Sequence, residues 1–114
     1  MSQDNIDKPM NDSGLTELHL GAYHQELEWV ENCIKAGFDV NKQSNNGYTP
    51  LTWVIDMYCT TGDPEESKKI VDILIENGAN VNHNPTVEPT LLEFAKSVHP
   101  EIYKHLKSKK EFNV

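Results

Sequence analysis

Five histidines, two cysteines and 18 acidic residues are the side chains that could do chemistry in this 114-residue chain. His19, His24, His83, His99 and His105 form no H-x-x-x-H or H-E-x-x-H pair, the spacings that turn two imidazoles toward one metal. They read as surface or structural residues, and no metal or cofactor is expected. Nucleophilic catalysis lacks its parts as well: there is no G-x-S-x-G elbow, no Gly-rich phosphate loop and no cysteine beside a base. Asp56 with His24 or Tyr58 is the residual acid–base combination, the basis of a remote small-hydrolase reading. Such a pair needs a dry, concave pocket, so no catalytic residue is assigned. Cys33 and Cys59 are too few for a disulfide framework and form no C-x-x-C pair. Both are expected to be free, Cys33 packed as a small hydrophobe and Cys59 open to thiol reagents.

The elements that must position any site are repeated. Gly14-Leu15-Thr16-Glu17-Leu18-His19 recurs as Gly47-Tyr48-Thr49-Pro50-Leu51-Thr52, and Ala36-Gly37-Phe38-Asp39-Val40-Asn41 as Asn77-Gly78-Ala79-Asn80-Val81-Asn82. A worn third copy opens at Thr90-Leu91-Leu92-Glu93-Phe94-Ala95. Each unit reads as two short helices and a turn. Thr16, Thr49 and Thr90 are N-cap candidates, with Pro50 at the first helical position and Glu93 completing a capping box after Thr90. Leu27, Val30, Cys33 and Ile34 make the apolar stripe of one second helix, and Ile70, Ile73 and Leu74 that of the next, with Val71 and Ile75 beside them. Trp29 falls in the first of these stripes, which predicts a packing role. Asp63-Pro64-Glu65-Glu66 starts the latter helix, and Gly37 and Gly78 stop the two helices where a positive φ is needed. The register places eight extra residues in the second unit, between Ile55 and Ile70, roughly Tyr58 to Glu66.

These motifs resemble the ankyrin repeat, whose unit of about 33 residues begins G-x-T-P-L-H and ends G-A-D-V-N. The resemblance covers roughly Asn11 to Leu106. Glu17 stands where the family has proline, Thr52 where it has histidine, Gln25 where it has the inter-helix glycine, and Glu88 where the third copy would open with glycine; no apolar core position is lost. The expected fold is all-α: a solenoid of two and a half to three helix-turn-helix units with short turn or hairpin tips. Its expected parts are a mobile leader over 1–10 and a single domain over 11–110, with units at 11–43, 44–84 and a degenerate C-terminal cap at 85–110. The resemblance implies that His19 is structural, bonded to neighbouring loop backbone. It also implies that a partner protein docks on the turn tips and first-helix faces, which here are Asp12, Ser13, Leu15, Tyr23, His24, Asn45, Asn46, Tyr48, Asp56 and Met57.

Charge narrows the partner. The net charge is −8, every basic residue is lysine, and residues 104–114 carry four lysines against Glu111, which leaves −11 on the rest. A body of that sign repels nucleic acid and anionic lipid and complements a basic surface. No apolar run is long enough to span a bilayer and no signal peptide opens the chain, which predicts a cytoplasmic protein. Read as complete, with a start methionine, the chain suits a free-standing, monomeric, non-enzymatic inhibitor that occludes a basic partner, in the manner of bacterial immunity proteins acting on toxin domains. An adaptor that binds a cellular protein without inhibiting it is the alternative. The Tyr58–Glu66 insertion is the competing place for the interface.

Overall fold

The computed structural model describes residues 14–58, 63–81 and 90–109. Six helices follow in order: α1 (Glu17–Tyr23), α2 (Leu27–Lys35), α3 (Pro50–Asp56), α4 (Pro64–Glu76), α5 (Leu91–Val98) and α6 (Pro100–Lys107), with no strand among the described residues. None of these helices is long and apolar enough to cross a membrane. The first helices form one layer, α3 packing between α1 and α5; α2 lies against α1 and α4, α4 against α3, and α6 against α5. The expected leader, Asp12, Ser13, Cys59, His83 and residues 85–89 of the expected third unit lie outside the described residues.

Threonine caps start the first layer. The hydroxyls of Thr16, Thr49 and Thr90 accept the backbone N–H groups of His19, Thr52 and Glu93 at 3.4, 3.3 and 3.0 Å, satisfying donors that a helix start leaves open. At α1 the box is closed by a histidine: the Thr16 N–H donates to His19 Nδ1 at 3.0 Å. A backbone N–H can only donate, so Nδ1 is the acceptor and Nε2 carries the proton. Nε2 then donates to the Lys42 carbonyl at 2.7 Å, which ties α1 to the loop after α2 and gives the buried His19 its structural role. In the second unit Thr52 is too short for this, and its hydroxyl stays 3.0 Å from that of Thr49.

The units are also joined at their turns. Gly14 lies against the next tip, where an added Cβ would stand 2.6 Å from Asn45 Oδ1. The Asn41 side chain donates to the Gly78 carbonyl at 3.0 Å and accepts the Asn80 N–H at 2.6 Å, bridging two equivalent turns. Gly37 and Gly78 hold φ of 97° and 95° at the ends of α2 and α4, as the repeat predicts. Between the layers, Leu18, Ala22, Val30, Leu51, Val54, Ile55, Ile70, Val71, Leu74, Ile102 and Leu106 are fully buried. On α4 the buried arc includes Val71 and Ile75 while Ile73 is only half-buried, because α4 packs against both α2 and α3.

Within the insertion, α4 starts where Asp63-Pro64-Glu65-Glu66 predicts, and Tyr58 departs from the sequence reading. The insertion is only partly loop, because α4 has 13 residues against 9 in α2 and takes Pro64–Glu66 as its first turn. Asp63 caps that turn, accepting the Glu65 N–H at 3.0 Å. Tyr58, expected in the loop, is 1% exposed; its hydroxyl donates to Glu101 at 3.2 Å and its ring meets His99 edge-on. Glu66 accepts the N–H of Leu27, the first residue of α2. Gln25, at the family's glycine position, has φ 56° and is buried; its amide donates to the Met57 carbonyl and accepts from the Ser67 hydroxyl. The added turn therefore clasps the first unit.

Two of the C-terminal lysines, Lys107 and Lys109, are engaged too. On α4, Asp72 Oδ1 receives His105 Nε2 at 2.8 Å and Lys109 Nζ at 2.7 Å, which pins α6 and the residues after it. The Lys96 and Lys107 ammonium groups lie 5.7 and 5.6 Å from the centre of the Tyr103 ring, within cation–π range.

Candidate partner-binding face

Tyr23 ends α1, Tyr48 precedes the Thr49 cap of α3, and Asp56 ends α3. Up to one unit length of sequence separates these positions, yet side-by-side packing of α1 and α3 brings them to one row. The Tyr23 ring meets Trp53 edge-on with centroids 5.3 Å apart; Trp53 lies 4.7 Å from Tyr48, and Tyr48 6.4 Å from Phe94 of α5. Tyr23, Tyr48 and Trp53 are half-buried and form a partly exposed strip across the first two units, while Phe94 in the third is buried.

Asp56 sits at the edge of this strip. It is half-buried, and its Oδ2 accepts the Tyr48 hydroxyl at 3.3 Å. Burial first, and then the charge and hydrogen bond of Asp56, push the Tyr48 phenol above its ordinary pKa, because an anion there would be poorly hydrated and beside another anion. No lysine or histidine forms an ion pair with Asp56 among the described residues, whereas Asp72 on the opposite layer has two such partners. The Asp56 backbone carbonyl lies 3.3 Å from His99 Nε2, which ties the end of α3 to α6.

The other expected positions serve separate ends. Leu15 is half-buried at the first tip, and exposed Asn45 packs beside Gly14. Asn46 Oδ1 accepts the Ser44 hydroxyl and, at 3.2 Å, the Tyr48 N–H, so this side chain shapes the tip that presents Tyr48. His24 is exposed, with its ring parallel to that of half-buried Trp29 at 6.0 Å and edge-on to Tyr23. Met57 closes α3, and its carbonyl takes the Gln25 amide. Asp12 and Ser13 lie outside the described residues. His24 and Asp56 therefore make different contacts and form no acid–base pair with each other among those observed. No group of three or more histidine, cysteine or carboxylate side chains among the described residues could hold a metal.

Trp53 is the residue the sequence reading left out of the face, and it lies at the centre. The repeat register carried part of the signal: Leu20, Trp53 and Phe94 are equivalent first-helix positions of three units, which places Trp53 on the layer that holds Tyr23 and Tyr48. The indole Nε1 of Trp53 is buried and has no acceptor among the described residues.

Comparison with known proteins bears on the whole architecture. Residues 46–84 match the family model for the ankyrin repeat. An ankyrin repeat domain from Acinetobacter baumannii AYE, solved by crystallography, superposes with a TM-score of 0.74 at 32% identity over 88% of this chain. The chain spans half the length of that domain. A comparison with curated proteins finds no match. The two-motif repeat, the paired helical layers and these likenesses agree: residues 46–84 are an ankyrin repeat, and the chain has the ankyrin-repeat fold.

Proposed function

We propose that the chain is a protein-binding module whose partner docks on the strip formed by α1, α3 and the tip at Asn45–Tyr48. Ankyrin-repeat domains are protein-interaction modules rather than enzymes. The observation that carries the reading is the half-buried row Tyr23–Trp53–Tyr48 beside Asp56. Aromatic side chains with a polar rim are the usual anchors of an interface. With −8 overall and no arginine, the face suits a basic partner, and the finer reading is an acidic, cytoplasmic inhibitor of the immunity type that occludes a basic toxin domain.

Surface-plasmon kinetics against a captured partner test this. Asp56→Lys should slow association and flatten its salt dependence, because charge acts mainly on encounter. Tyr48→Ala should speed dissociation by the equivalent of about 1–3 kcal/mol. If both variants bind like wild type, the docking face is elsewhere. Loss of the partner's activity on binding supports the inhibitor, and retained activity supports an adaptor.

A further inference from the structure

The strip is uniform in its rings and singular in its charge. Asp56 is the carboxylate that touches the aromatic row, through the Tyr48 hydroxyl, and it is half-buried without an ion-pair partner among the described residues. Leaving a carboxylate partly desolvated costs free energy unless a cation or further donors arrive. Next to it stand the Tyr48 and Trp53 rings, 4.7 Å apart at centroids and tilted by 54°, with Tyr23 on the far side of Trp53. A flat cation can stack on such a ring while pointing hydrogen bonds at the carboxylate.

We infer that Asp56, Tyr48 and Trp53 form an anchor site for a guanidinium group, an arginine side chain presented by the partner. The inference rests on the docking reading and names the partner's chemistry. The guanidinium plane packs on the exposed ring surface, and its forked N–H groups donate to the Asp56 oxygens beside the Tyr48 hydroxyl. A lysine ammonium is a compact, strongly hydrated point charge with no plane to stack. It can reach the carboxylate but gains less from the rings.

The test titrates three capped peptides, acetyl-Gly-Arg-Gly-amide and its lysine and citrulline counterparts, into the isotopically labelled full chain. The chain has two tryptophans, so the Trp53 indole N–H resonance is the reporter, assigned with Trp29→Phe. The arginine peptide should shift it saturably with a Kd of roughly millimolar order, as suits one anchored side chain. The lysine peptide should bind about threefold or more weakly, and citrulline, isosteric but neutral, should not saturate. Asp56→Asn should weaken the arginine peptide about fivefold, the effect of losing a partly exposed ion pair, at unchanged helicity and melting temperature. Citrulline or lysine binding as well as arginine overturns the assignment, and so does an Asp56→Asn chain that binds normally. If no peptide moves Trp53 while Tyr48→Ala still releases a captured partner faster, the arginine anchor falls and the docking face stands. If Tyr48→Ala also binds like wild type, both fall.

Discussion

The carboxylate of Glu66 accepts the backbone N–H of Leu27 at 3.0 Å, across 39 positions of sequence. One residue of the insertion thus caps the second helix of the preceding unit, whose own N-cap residue, Glu26, makes no side-chain cap. Glu66→Ala should lower stability by about 0.5–2 kcal/mol, the usual cost of a lost cap. Glu65, exposed and paired only with Lys68 among the observed contacts, is the control. Glu65→Ala should stay within about 0.5 kcal/mol in chemical denaturation. Equal effects would mean that the clasp adds nothing.

Gln25 separates backbone strain from side-chain bonding. Its φ of 56° is a conformation that glycine adopts freely, and the buried amide is held by Met57 and Ser67. Gln25→Ala keeps the strained φ and orphans both partners, a loss of about 2–4 kcal/mol. Gln25→Gly loses the same bonds but relieves the strain, so it should be milder by about 1 kcal/mol. Thermal melts should rank wild type first, then glycine, then alanine. A glycine variant more stable than wild type would show that the amide bonds contribute less than the strain costs.

The buried Cys33 thiol is pushed up from 9.0 to about 11, chiefly by burial and then by the Glu17 carboxylate. At pH 7 it should resist thiol reagents in the native state, while Cys59 is expected to react. Between pH 9 and 11 an unfolded chain has lost this proton and the folded chain has kept it. Stability therefore falls as pH rises through that window, and the Cys33 contribution is fully present below pH 9. Cys33→Ala should remove this component, so its pH–stability curve should be flatter than that of wild type from 9 to 11. Parallel curves would refute the burial of the thiol.

Removing residues 99–114 strips α6, and with it Ile102 and Leu106 from the core, Glu101 from the Tyr58 hydroxyl and His105 and Lys109 from Asp72. Repeat units depend on their neighbours, so the loss should unfold the whole chain rather than one end. Far-UV circular dichroism should show a collapse of helicity at ambient temperature. A truncated chain with the full melting temperature would refute this dependence.

What the sequence determined by itself was the periodic part. Cap threonines, a first-turn proline, apolar stripes and stop glycines are local signals, each acting within a few residues, and their repetition at one register sufficed to specify paired helices and their stacking. The resemblance to the ankyrin repeat, carried by that register, placed Tyr23, Tyr48 and Asp56 among the expected docking positions. Tertiary structure decided what depends on contacts between units. Tyr58 and Gln25 look like a loop residue and a tolerated departure in sequence, because nothing local says that a tyrosine will reach Glu101 or that a glutamine will replace a glycine. Asp63 and Pro64 announce the start of α4 locally, but only its packing against the first unit lets Glu66 bond Leu27 and Ser67 bond Gln25. Trp53 stands between these cases: its register was legible, but its place at the centre of the ring row follows from the closeness of α1 and α3, which no spacing along the chain encodes.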